Sequence, residues 1–176
     1  MKRKLINFSL ITAMIFGLSG LSACNDDSDL IVDYSPIVLQ VWVKDAQGNN
    51  LLDPDNPDNI LDEEMWIDYK NEVSGVVMGQ PEPSILTRAY LPQWYGAYIA
   101  PAEYLYGDQE YFSIDNRIFI GEFDGGDNGE FNVVLTIGDK SYNLSWTNKV
   151  NKLDTKRQFY IDGKKNKDSV FNITLP

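Results

Sequence analysis

Histidine is absent from the 176 residues, and cysteine occurs once. The first absence removes the commonest zinc ligand and the general base of Ser-His-Asp and Cys-His catalysis. It also removes the side chain that switches charge near neutral pH. The second excludes an intrachain disulfide in any compartment. No GxSxG nucleophile elbow, phosphate loop or dinucleotide fingerprint occurs. No segment sustains a helical period, and there is no clear internal repeat or low-complexity tract. An enzyme made from what remains would use two carboxylates, as glycosidases do. Acidic residues are abundant enough for chance pairs, and none sits in a recognisable motif. The chain therefore reads as non-catalytic, with a carboxylate-dependent glycosidase as the third-ranked reading.

What is present first is a leader. Lys2-Arg3-Lys4 precede an apolar run from Leu5 to Leu18, and small residues follow. A basic start, an apolar middle of roughly 7–15 residues and small residues at the cut define a secretory signal. Asn7, Ser9, Thr12 and Gly17 interrupt the run, which is short against the ~20 residues of a membrane-spanning helix. Residues 1–23 are thus expected to be removed.

Leu21-Ser22-Ala23-Cys24 resembles the lipobox of bacterial lipoproteins. The resemblance implies diacylglycerol on the Cys24 sulfur, cleavage before Cys24 and acylation of the new amino group, by palmitate or a similar chain. Several acyl chains, at ~0.8 kcal/mol per buried methylene, anchor a protein durably where one does not. Asn25-Asp26-Asp27-Ser28-Asp29 is similar to the acidic export signal of Bacteroidota surface lipoproteins. That implies an outer-membrane lipoprotein facing the cell surface, with the periplasmic face as the alternative. Its plainer reading is an acidic flexible tether.

Removal of the leader leaves 153 residues, enough for one domain with a real core. Twelve Lys and Arg then stand against 26 Asp and Glu, a formal charge of −14. Such a surface repels nucleic acid and anionic lipid, so attachment would rest on acyl chains. Residues 24–35 read as the tether and 36–176 as the domain.

Within the domain the apolar period is two. Ile37, Leu39, Val41 and Val43 share one face of an opening strand, and Asp45 to Asn50 end it with turn residues. Pro54 and Pro57 forbid a central strand after it. Ile60–Glu64 is expected to form one helical turn capped by Asn59. Met65–Tyr69, Val73–Met78, Ser84–Leu91, Lys156–Ile161 and Val170–Leu175 read as strands, and within Tyr111–Phe123 Ile118 and Ile120 alternate with Phe119 and Gly121. Phe131–Ile137 and Lys140–Trp146 flank Gly138-Asp139 as a hairpin. Its register opposes Leu135 to Tyr142, Val133 to Leu144 and Phe131 to Trp146 on one face. Thr136 with Ser141, Val134 with Asn143 and Asn132 with Ser145 fall on the other. Seven to nine short strands suggest an all-β fold, a two-sheet antiparallel β-sandwich. Val41 to Leu52 is similar to the start of immunoglobulin-like or prealbumin-like β domains in Bacteroidota lipoproteins, which implies fold and source but no activity.

Two stretches could hold a ligand. Asp53, Asp55, Asp58 and Glu64, with Asp62 and Glu63, suggest calcium, which takes several oxygens from a short loop. Asp53, Asp55 and Glu64 fall at the first, third and twelfth positions of an EF-hand loop. Pro57 and Asp58 break that pattern, and side chains bonding their own backbone is the competing reading. The other stretch is aromatic, from Tyr90 to Phe112. Trp94, Tyr95 and Tyr98 are the candidate platform for sugar rings, and core packing competes with it. The expected function is a membrane-anchored extracytoplasmic protein with a structural or ligand-binding accessory role. A surface glycan-binding module is the alternative, and no cofactor beyond calcium is expected.

Overall fold

The computed structural model describes residues 34–81, 92, 94–101, 115–151 and 154–176. The expected leader 1–23, Cys24 and the part of the expected tether 24–35 that precedes residue 34 lie outside these residues. So do the expected strand Ser84–Leu91 and the aromatics Tyr90, Tyr104, Tyr106, Tyr111 and Phe112. Asp33–Pro176 forms one compact unit.

The fold is all-β, with no helix among the described residues. The strands are β1 (Ile37–Lys44), β2 (Met65–Tyr69), β3 (Glu72–Met78), β4 (Ala97–Pro101), β5 (Asn116–Phe123), β6 (Gly129–Ile137), β7 (Lys140–Asn151), β8 (Asp154–Ile161), β9 (Lys164–Asn166) and β10 (Val170–Thr174). Hydrogen bonds join them as β10-β1-β5-β4-β3-β2-β6-β7-β8-β9.

Antiparallel pairing throughout is corrected at two places. β1 runs parallel to β10, and β3 runs parallel to β4. Neither pair is joined by a tight turn, and parallel neighbours need a longer connection. β3 also makes the sheet continuous. Its Glu72–Gly75 half pairs with β2 and its Val76–Met78 half pairs with β4. At the far end, Asn166 Nδ2 donates to the carbonyls of Asp168 and Val170 at 2.8 Å each, tying β9 to the start of β10.

One core receives residues from both halves of this sheet. β1 contributes Ile37, Leu39, Val41 and Val43; Val133, Leu135, Leu144 and Trp146 come from β6 and β7; Phe171 comes from β10. The opening strand buries the four positions its alternation indicated. The Phe123 and Trp146 rings lie 4.5 Å apart between β5 and β7, and Phe159 meets Phe171 edge-on at 6.5 Å.

The hairpin of β6 and β7 has the expected register, Leu135 opposite Tyr142 through Phe131 opposite Trp146. The Thr136 and Ser141 hydroxyls meet at 2.9 Å on the other face. Gly138 takes the positive φ, 57°, that primed turns require first. The helical turn expected at Ile60–Glu64 is instead an isolated turn. Glu63 N donates to Ile60 O at 3.0 Å, Asn59 Oδ1 accepts from Leu61 N at 3.2 Å, and β2 follows at once.

A buried polar knot fixes the chain where it enters the domain. The Asn148 side chain is 1% exposed, and its Nδ2 donates to Gly125 O at 2.8 Å and Asp127 O at 2.7 Å. Its Oδ1 accepts from Arg157 Nε at 3.3 Å, and Arg157 Nη2 reaches Ser35 O at 3.0 Å. A Cβ on Gly125 would overlap the Ser35 carbonyl, so the segment leading into β1 lies directly on this loop.

Candidate functional site

The sequence-indicated aromatics are divided between two faces of the sheet. Trp94 packs at the rim of the main core, 4.8 Å from Tyr69 and 5.4 Å from Phe123, and remains 38% exposed. Gly121 makes the seat for it. Its φ is +61°, and a Cβ there would fall 2.7 Å from the Trp94 ring. Tyr98 belongs to a second cluster with Phe119 and Ala100, joined by Tyr95 and Val38. Tyr98 is 3% exposed and stacks on Phe119 at 5.4 Å. Burial pushes its phenol up to about 12, and the negative charge of Glu122 and the neighbouring Tyr95 add to the effect. The fold thus brings Tyr95 and Tyr98 together and sends Trp94 elsewhere. The three rings do not share one exposed face.

The acidic loop makes local turns. Asp53 Oδ1 accepts from Asp55 N at 3.0 Å, and Asn56 Oδ1 accepts from Asp58 N at 3.0 Å. Asn56 Nδ2 donates to Asn50 O at 2.8 Å. These bonds are the ones expected of Asp and Asn in turns. Asp53, Asp55, Asp58 and Glu64 do not converge. No group of three acidic side chains placed to hold a metal occurs among the described residues.

A different surface emerges on β6, β7 and β8. Their inward residues fill the core, so the alternate residues form an outward face. Register places Asn132, Ser145 and Tyr160 in one row across it, with Lys165 of β9 beyond. The next row is Glu130, Thr147 and Gln158, and the one after it opposes Lys149 to Lys156. Tyr160 is half-buried, and its hydroxyl donates to Gln158 Oε1 at 2.7 Å. Two depressions lie along this face, of about 510 and 600 Å³, and share Glu130 and Thr147. The first reaches Asn132, Ser145 and Tyr160, and the second reaches Asn128, Lys149, Lys156 and Gln158.

Charge is segregated towards this region. From Asp139 to Asp168, both included, eight Lys and Arg stand against four Asp, in a chain whose net charge is −11. Lys149 and Lys156 are exposed and directly opposite, an arrangement that repels. Asp154 approaches Lys156 only at 4.0 Å, between two well-exposed side chains, and so offsets little of that repulsion. The uneven distribution of charge along the chain was a readable signal. The face itself required the register of β7 on β8.

The chain matches no family model, no curated protein and no solved structure.

Proposed function

We propose that the chain is a lipid-anchored, extracytoplasmic binding domain without catalytic activity. The anchor is the diacylated and N-acylated Cys24, supported by the order Leu21-Ser22-Ala23-Cys24 behind a basic, then apolar, leader. The acidic stretch after it favours an outer-membrane lipoprotein of the Bacteroidota type that faces the cell surface. We take the two halves of the sheet as layers of a β-sandwich related to immunoglobulin-like or prealbumin-like domains. Their common core supports that reading.

The observation that carries the binding role is the outward face of β6–β8. It presents amide, hydroxyl and phenol groups beside two joined depressions, on strands whose other side is locked into the core. Rigid elements hold such groups in place better than loops do. No calcium is required for this role.

Growth with an alkynyl fatty acid tests the anchor. The wild type should take up label and fractionate with membranes, and Cys24→Ser should do neither. Equal labelling of the two would refute the lipidation. Hydrolysis of any polysaccharide by the purified chain, lost on changing one carboxylate, would refute the non-catalytic reading.

A further inference from the structure

We infer that the outward face of β6–β9 takes an acidic polysaccharide, a chain of uronate- or sulfate-bearing sugars. The inference rests on the binding role proposed above and names its ligand.

Charge selects the sign of the partner. The body of the chain is acidic, yet this face carries Lys149, Lys156 and Lys165. Lys149 faces Lys156 across the strand pair with no carboxylate between them in their row. An anion lying over both would relieve their repulsion, so a bound carboxylate or sulfate gains more here than at a lone lysine. Glu130 on β6 steers that anion towards β7 and β8, because it would repel the same group on its own side.

The remaining groups select sugar over other polyanions. Tyr160 offers a half-exposed ring whose apolar face suits the apolar face of a pyranose. Its hydroxyl is already held by Gln158, which fixes the ring orientation without loops. Ser145, Thr147, Asn132 and Gln158 supply neutral donors and acceptors in adjacent rows, as a polyol needs. Lys165 beside Tyr160 and the Lys149–Lys156 pair lie at opposite ends of this patch. Cations at both ends of a middle that is neutral on β7 and β8 fit a charged group recurring along an extended chain.

The test uses the full-length chain in non-ionic detergent, titrated with polygalacturonate, dextran sulfate, neutral dextran, transfer RNA and phosphatidylglycerol vesicles. One or both acidic polysaccharides should bind, and binding should weaken about tenfold or more as salt is raised from low to molar levels. Neutral dextran should not bind, and RNA and vesicles should bind at least about tenfold more weakly. Lys149→Glu should reduce affinity about tenfold while leaving the melting temperature unchanged or higher, because it converts a repulsive cross-strand pair into an attractive one. Tyr160→Ala should lower affinity by a similar factor. Lys70→Glu, the same charge change at the β2–β3 turn, should leave binding intact. Equal affinity of Lys149→Glu and wild type, or tighter binding of RNA or vesicles, would overturn the inference. Tyr160-dependent binding of neutral dextran alone would overturn it and leave the binding role standing. Binding of nothing in the panel would overturn it, while the lipid anchor would still be judged by fatty-acid labelling.

Discussion

Tyr98 shows how a single residue can be informative in composition and different in place. It counts among the aromatics that suggest a ligand platform, yet it stacks on Phe119 and is almost fully enclosed. Burial has a measurable consequence, because it raises the phenol from 10.0 to about 12, with Glu122 and Tyr95 adding to the rise. The neutral phenol is the form the fold favours. Its contribution is therefore fully present below pH 10 and is lost as pH climbs from 10 towards 12. Denaturation by urea across that window should show stability falling by ~2–3 kcal/mol from this group. Tyr98→Phe should flatten that part of the curve, and an unchanged slope would show that Tyr98 is not the group responsible. Asn148 is the second residue with a sharp expectation. Its amide serves two carbonyls of the 124–128 loop and one guanidinium nitrogen while itself buried. Asn148→Ala removes all three bonds, leaving Gly125 O only a long 3.5 Å contact from Arg157 Nη2, and should cost ~2–4 kcal/mol, read as a lower urea midpoint.

Elements were legible in the sequence where local chemistry and tertiary demand agreed. The β6–β7 hairpin is the clearest case. A glycine-led two-residue loop and matching apolar faces leave one register, and that register is the one found. β9 follows from turn chemistry rather than from apolar alternation. Asp162 and Gly163 have φ of 48° and 74°, the conformation a two-residue Asp-Gly turn favours, so the basic segment after them pairs back on β8. β4 had no such signal. Ala97–Pro101 is short and apolar on both faces, Pro101 closes it, and its strand character comes from lying between β3 and β5. The β3 crossing and the parallel β1–β10 pair were equally out of reach, since alternation fixes which face is buried and not which strand lies alongside. The acidic loop between β1 and β2 falls between these cases. Its turn chemistry was readable, and the same residues suggested calcium. With Asp53 and Asn56 capping their own turns, millimolar calcium should leave the melting temperature where a chelator leaves it. A calcium-dependent rise would mean that the loop rearranges around the ion, because a ligand selective for the folded state must stabilise it.

The whole molecule, as proposed, is a lipid-anchored N-terminus followed by one continuous sheet. The core draws on both halves of that sheet, and the Asn148–Arg157 knot holds the segment that leads into β1. The chain as a whole is acidic, with a net charge of −11, while the outward face of β6–β9 gathers lysines around a tyrosine. Trp94 and the Tyr95–Tyr98 pair are split between two clusters for a physical reason. Aromatic density marks core as readily as surface, and only pairing between strands separates the two. Anchoring and binding together make the cell, and not only the purified chain, a suitable object to measure. The most direct measurement is the retention of fluorescent acidic polysaccharide by intact cells producing the wild type, Cys24→Ser or Lys149→Glu at equal expression. The wild type should retain it, Cys24→Ser should lose it because the domain is no longer held at the surface, and Lys149→Glu should lose it because the face no longer attracts the ligand. Equal retention by all three would contradict the proposal.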